Sequence, residues 1–198
     1  MSSSTKLNVD SSRVEVSPTL YRSIIGSLLY LAASRPDIAF SVGICARYQA
    51  ALKESHLIAV KRIIWYINGT PDYGLWYSKD SNACLARYSD ADWAGSVDDQ
   101  KSTSRGCFYL GNNLFSWMSK KQNFVSLSTA EAKYIATGSC CTWLLWMKKL
   151  LHDYGIPQET MCVFCDNTSA INLSKNLVQH SKSKHIEIRY HFIRDLVE

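Results

Sequence analysis

The chain has 198 residues, a net charge of +5, 46% hydrophobic residues and 20% charged residues. This composition is typical of a folded globular protein of one or two domains, and it excludes a low-complexity disordered chain. The charge permits nucleic-acid binding but does not require it, because many soluble domains are mildly basic. No apolar run reaches the roughly 18 residues needed to span a bilayer, so we expect no membrane partner.

The first 17 residues are polar and rich in serine, which predicts a disordered tail. They contain no apolar stretch like that of a secretory signal peptide. The seven cysteines, an odd number, favour free thiols in a reducing compartment, so we expect an intracellular protein, cytoplasmic or nuclear and not secreted. Cys162 and Cys165 form one C-x-x-C pair, and a lone pair does not supply the four ligands of a zinc site.

Residues 18–78 have the pattern of a small helical segment. The stretch "LYRSIIGSLLYLAAS" is apolar on nearly all sides and predicts a buried helix. Pro36 suits the first turn of the next helix, "RPDIAFSVGICARYQA". A third helix, "KESHLIAVKRIIWYING", has apolar residues at helical spacing and Gly69 just past its end. The segment contains no evident catalytic group, and we expect His56 at its surface.

Beyond the third helix, short runs rich in aromatic and β-branched residues predict antiparallel strands. These runs are "YGLWYS", "ACLARYSDA", "GCFYLGN" and "LFSWMSKK". A long helix is predicted from about Thr129 to His152, packed along a stripe that includes Trp143 and Trp146. A strand, "TMCVFCDN", and two helices, "TSAINLSKN" and "SKHIEIRYHFIRDLVE", follow. The order of these elements predicts a mixed α/β domain over residues 79–198.

Two aspartates end comparable strands, Asp90 after "ACLARYS" and Asp166 after "TMCVFC". Open α/β sheets place their chemistry at the carboxyl ends of central strands. With Glu131 from the first turn of the long helix, three carboxylates could converge on Mg²⁺, which prefers oxygen ligands. Two such ions about 4 Å apart support phosphodiester hydrolysis. The alternative is that the aspartates only cap turns or helices, as "DN" before "TSAI" would.

Seven stretches together resemble the ribonuclease H region of copia-type retrotransposon polyproteins, preceded by the connection segment that follows the reverse transcriptase palm. They are "LYRSIIGSLLYLAASRPDIAFSV", "YSDADWAG", "KSTSRGCFYLG", "SWMSKKQ", "STAEAKYIA", "CDNTSAI" and "SKHIEIRYHFIRD". The resemblance implies a ribonuclease H-like fold, a mixed five-stranded sheet with flanking helices. It also implies cleavage of the RNA strand of an RNA–DNA hybrid, with two Mg²⁺ ions held by four acidic residues.

The resemblance assigns two of those acids to Asp90 and Asp166, with Asp92 a nearby alternative that falls in a turn. The second family acid lies in the first turn of the long helix, where the usual stretch reads S-T-x-E-A-E-Y-x-A. This chain reads "STAEAKYIA", so the missing acid aligns with Lys133. Glu131 lies about 200° away around a helix and cannot simply replace it.

The fourth family acid follows one further strand, and the chain ends before that strand, so we expect a domain without its last strand and helix. Four residues of the last predicted helix are expected at its surface: His185, Glu187, His191 and Asp195. We therefore expect impaired Mg²⁺ binding, little or no nuclease activity, and self-association through an unpaired sheet edge. The alternatives are an active Mg²⁺-dependent hybrid nuclease that uses Glu131, and a noncatalytic nucleic-acid-binding remnant whose "SKKQ" and "SKSKH" stretches contact phosphates.

Overall fold

A computed structural model of the chain describes residues 6–9, 16–79, 82–176, 186 and 193–196. The chain divides into two compact units. The first comprises Met1–Trp76 and Gly95–Gln100, and the second comprises Tyr77–Ala94 and Lys101–Glu198. The boundary suggested by the sequence, between residues 78 and 79, lies two residues beyond the observed one, and the inclusion of Gly95–Gln100 in the first unit was not expected.

The described residues of the first unit form three helices: α1 (Pro18–Leu31), α2 (Pro36–Ala46) and α3 (Glu54–Asn68). Proline stands in the first turn of both α1 and α2, where its missing N–H breaks no helical hydrogen bond. Each helix contributes one apolar stripe to a common core, which includes Tyr21, Val42 and Val60. The expectation that α1 is buried on all sides is wrong, because Tyr30 is 86% exposed.

His56 is fully buried in the first unit, so the expectation that it lies at the surface is wrong. Its ring stacks on Tyr48, and its Nε2 lies 2.7 Å from the carbonyl oxygen of Asn8. The Tyr48 hydroxyl donates a hydrogen bond to the carbonyl oxygen of Leu7. Residues 6–9, which belong to the tail predicted to be disordered, are therefore held against the helices.

The described residues of the second unit form a mixed sheet and two helices, which confirms the predicted α/β class. Its elements are β1 (Leu85–Ala91), β2 (Thr103–Leu110), β3 (Asn113–Lys121), α4 (Thr129–Asp153), β4 (Cys162–Phe164) and α5 (Thr168–Lys175). The strand order is β3-β2-β1-β4, with β4 parallel to β1 and the other pairs antiparallel. Across the described residues this sheet has four strands, and self-association through an edge strand stays a prediction.

One predicted strand differs from the structure, and one predicted helix falls largely outside the described residues. The stretch "YGLWYS" at residues 73–78 is irregular and not a strand. The last predicted helix lies largely outside the described residues, of which Ile193–Asp195 form a single 3₁₀ turn. Within the part of the chain that the structure describes, no helix is long and apolar enough to cross a membrane.

The packed face of α4 differs from its predicted stripe in the second half of the helix. Trp143 and Trp146 are more than half exposed. Met147, which also belongs to the predicted stripe, is buried, and so is Leu144, which does not belong to it. Leu144 and Met147 pack with Phe108 of β2 in one apolar cluster. Apolar residues surround the helix in this half, so their spacing alone did not identify the buried side.

Candidate functional site

The carboxyl ends of β1 and β4 bring Asp90 and Asp166 together. The two strands are parallel, and Tyr88 of β1 pairs with Phe164 of β4. Asp90 and Asp166 each lie two residues farther along. Because side chains alternate between the faces of a strand, the shared register directs both carboxylates to the same side of the sheet.

Lys133 of α4 lies between the two aspartates. Its Nζ is 3.2 Å from Oδ1 of Asp90 and 2.5 Å from Oδ1 of Asp166. The two carboxylate oxygens are therefore at most about 5.7 Å apart, the sum of those distances. The lysine side chain is only 16% exposed, whereas those of Asp90 and Asp166 are 49% and 68% exposed. We call these three residues the Lys133 cluster.

The charges of the Lys133 cluster stabilise one another. Burial lowers the pKa of Lys133, but hydrogen bonds and charge interactions with Asp166 and Asp90 outweigh it and raise the pKa above its ordinary value. The hydrogen bond from Lys133 lowers the pKa of Asp166, although burial opposes this shift. At neutral pH the cluster therefore holds one ammonium group between carboxylates.

Glu131 has a different position at the start of α4. Ser128 caps the helix, and its Oγ accepts a hydrogen bond from the Glu131 backbone N–H at 3.1 Å. The Glu131 Oε2 in turn accepts a hydrogen bond from the backbone N–H of Leu127 at 2.8 Å. This arrangement resembles a capping box. The sequence analysis missed it, although the S-x-x-E spacing of "STAE" is the usual signal for one.

The residues present do not fit a pair of Mg²⁺ ions. Among the described residues, no three Asp, Glu, His or Cys side chains come together in a group that could hold a metal ion. Asp92 directly follows β1, and its Oδ1 accepts a hydrogen bond from the backbone N–H of Thr103 at 2.6 Å. Between the carboxylates of Asp90 and Asp166 lies the Lys133 ammonium group, which is a cation and cannot serve as a metal ligand.

Three curated relatives identify the family. Over its whole length the chain is 42% identical to the retrovirus-related Pol polyprotein from transposon RE2 of Arabidopsis thaliana and 43% identical to that from transposon RE1. Over 90% of its length it is 41% identical to the Pol polyprotein from transposon TNT 1-94 of Nicotiana tabacum. The chain belongs to the retrovirus-related Pol polyproteins of copia-type transposons. It spans 13% to 14% of the length of these relatives. No protein-family profile and no solved structure matches it.

The structure describes only some of the other residues considered from the sequence of this Pol chain. His185, Glu187 and His191 lie outside the described residues. Asp195 is exposed, as expected. All seven cysteines are free, so Cys162 and Cys165 form no disulfide.

Arg87 of β1 is a buried cation that the sequence analysis missed. It is fully buried, its Cζ lies 4.2 Å from the centre of the Phe108 ring, and its Nε and Nη1 have no hydrogen-bond partner in the described part of the Pol chain. Burial lowers the pKa of Arg87 to about 10. Gly106 leaves the space for the guanidinium, because a Cβ there would lie 2.1 Å from Nη2. The available signal was the alternation of β1, which turns residue 87 inward with Leu85 and Ser89.

Proposed function

We propose that the second unit is a ribonuclease H-like domain of a retroelement polyprotein. Its ancestral reaction is hydrolysis of the RNA strand of RNA–DNA hybrids, and that activity is absent or weak in this chain. The observation that carries the proposal is the ion pairing of Lys133 with both strand-end aspartates. The family resemblance of the motifs around these residues supplies the reaction.

Lysine at position 133 affects divalent metal binding in two ways. It removes an oxygen ligand, and it places a positive charge where a cation would bind. Two unit charges 4 Å apart interact by about 4 kcal/mol at an effective dielectric of 20 and by about 1 kcal/mol in water. Because Asp90 and Asp166 are half to two-thirds exposed, the lower part of this range applies. A doubly charged ion would experience twice that repulsion, so Mg²⁺ binding should be impaired.

The geometry of Glu131 argues against its use as a substitute ligand. Its side chain is engaged at the helix cap, and the residue is 5% exposed. A role in metal binding would require the first turn of α4 to unwind and the cap to be lost. The alternative function, a Mg²⁺-dependent hybrid nuclease that uses Glu131, therefore has less support than an impaired site.

Substitution of Lys133 tests the proposal directly. We expect the natural chain to give little Mg²⁺-dependent cleavage of a labelled RNA–DNA hybrid. Lys133→Glu should raise the affinity for Mg²⁺ about tenfold or more, measured by calorimetry, since it adds a ligand and removes a repelling charge. The matched control is Lys149→Glu, an equal charge change at an exposed residue of α4 about 24 Å along the helix.

The assay also distinguishes the competing functions. The proposal would be refuted if the natural chain cleaved the hybrid efficiently, Glu131→Gln abolished the cleavage, and substitution of Lys133 left it unchanged. That result would establish the alternative function, a hybrid nuclease that uses Glu131. An equal gain in Mg²⁺ affinity for Lys149→Glu and Lys133→Glu would show that overall charge, and not the cluster, controls metal binding.

A further inference from the structure

The sheet of the second unit is wider than the helix that covers it. Four strands at spacings of 4.7–4.9 Å span about 14 Å, whereas a helix with its side chains is about 10–12 Å wide. The helix α4 packs mainly over β1 and β2. Among the described residues, the face of the edge strand β3 that is turned toward α4 therefore remains partly uncovered, and a groove forms between β3 and the helix.

This groove, which we call the β3–α4 groove, has a volume of about 390 Å³. Apolar atoms of Met118 and Ile135 line its interior. Its polar and basic wall comes from Lys120, Lys121 and Asn123 at the end of β3, and from Thr142 on α4. No carboxylate is among its described lining residues. The groove therefore combines positive charge, neutral hydrogen-bonding groups and an apolar interior.

Lys120 and Trp143 are the two prominent exposed groups of the groove. Lys120 pairs with Ser104 in the sheet and shares the α4-facing side of β3 with Met118. Its ammonium group makes no ion pair within the described residues. Trp143 is 51% exposed and contacts Trp146 edge-on, with the ring centres 6.2 Å apart. An indole face beside a solvated lysine is the usual combination for stacking a base and contacting its phosphate.

We infer that the β3–α4 groove binds one nucleotide unit of single-stranded nucleic acid, with the phosphate at Lys120 and Lys121 and the base against Trp143. The volume lies in the range of sites for small organic ligands. A base must be unstacked and unpaired to reach an indole in a groove, which favours a single strand over a duplex. The inference uses residues other than the Lys133 cluster, so it does not depend on the proposed loss of nuclease activity.

The test measures the binding of a fluorescein-labelled oligo(dT) or oligo(rU) of ten nucleotides by fluorescence anisotropy. EDTA is present throughout to prevent metal-dependent cleavage. Trp143→Ala should weaken binding by about 5-fold to 100-fold, the range expected when one base no longer stacks on an aromatic ring. Trp143→Phe should retain most of the affinity, because it keeps an aromatic face. Lys120→Ala should lower the salt dependence of log K by about 0.7 for each phosphate that the lysine neutralises.

Tyr154→Ala, at an exposed aromatic residue just past the end of α4 and about 16 Å along the helix axis from Trp143, is one matched control. Lys149→Ala, at an exposed residue of α4, is the other, and both variants should bind like the natural chain. Equally weakened binding by Tyr154→Ala and Trp143→Ala would overturn the inference, because binding would then not require this groove. Equal affinity for an RNA–DNA duplex and for the single strand would also overturn it. Unchanged melting temperatures for all variants would show that weaker binding reflects the missing side chain and not unfolding.

Discussion

Replacement of Arg87 by methionine should stabilise the second unit. Methionine is similar in length, is flexible and is apolar, so it can occupy the same space beside Phe108 without a buried charge. Arg87 has two nitrogen atoms, Nε and Nη1, that lack hydrogen-bond partners in the described structure. Its Nη2 contacts only a weak acceptor in that part of the chain, the Met118 Sδ at 3.8 Å.

Two arguments give the size of the effect. Each unsatisfied buried donor costs about 1–3 kcal/mol, so two of them cost about 2–6 kcal/mol. An ordinary guanidinium has a pKa above 12, and a fall to about 10 corresponds to roughly 3 kcal/mol of destabilisation at neutral pH. The substitution also removes a cation–π interaction with Phe108 that contributes about 1–2 kcal/mol. We therefore expect a net stabilisation of about 1–3 kcal/mol, consistent with other buried charges replaced by apolar residues.

Chemical and thermal unfolding of the natural chain and Arg87→Met measure this effect. A gain of 1 kcal/mol should raise the melting temperature by roughly 4 °C. The control is Arg62→Met, the same change at an exposed position of α3. A destabilised Arg87→Met chain, with Arg62→Met unchanged, would refute the argument and show that the guanidinium contributes net stability in the native core.

The pH dependence provides a second test of Arg87. Its pKa is lower in the folded chain than in the unfolded chain, so folding is penalised wherever the unfolded arginine remains protonated. This penalty is fully present below about pH 10 and disappears as the pH rises from there through the unfolded pKa. The stability difference between the natural chain and Arg87→Met should therefore narrow above pH 10. A constant difference would contradict the lowered pKa.

Two further predictions concern the sheet and the Lys133 cluster. Gly106→Ala should lower the free energy of unfolding of the second unit by about 1–3 kcal/mol, because the new Cβ would clash with the Arg87 side chain. In a double-mutant cycle, this destabilisation should disappear when Arg87 is also replaced by alanine. Lys133→Met should raise the pKa of Asp166 toward its ordinary value. NMR of the Asp166 carboxyl carbon as a function of pH measures this shift. In the natural chain Asp166 contributes stability above its unfolded pKa and loses it as the pH falls through the lower folded pKa. An unchanged Asp166 titration would mean that the ion pair does not form in solution.

The sequence predicted those elements whose local pattern and packing agree. Helices α1 to α5 and strands β1 to β4 all lie at predicted positions, and the matched strand ends of Asp90 and Asp166 indicated their proximity. The stretch at residues 73–78 has strand-like composition but is irregular. Strand propensity depends on pairing with a neighbour, and composition alone does not show whether a partner is available.

Side-chain environments were harder to predict than elements. The buried state of His56 depends on Asn8 and Tyr48, which are distant in sequence. The exposed face of α4 at Trp143 depends on how much of the sheet one helix can cover, a geometric property of the assembled unit. Glu131 was considered as a metal ligand because it lies in the first turn of the long helix, but the S-x-x-E spacing there also fits the helix cap that the structure shows.

Arg87 and Lys133 show why a basic residue must be interpreted through its neighbours. Lys133 has two carboxylates within hydrogen-bonding distance, whereas Arg87 has none among the described residues. Lys133 is therefore stabilised by the two acids that it contacts. Arg87 lies in the strand that carries Asp90, and its buried charge should destabilise the sheet that positions this acid. Lys133→Glu therefore changes the charge between Asp90 and Asp166, whereas Arg87→Met should change the stability of the sheet that carries Asp90.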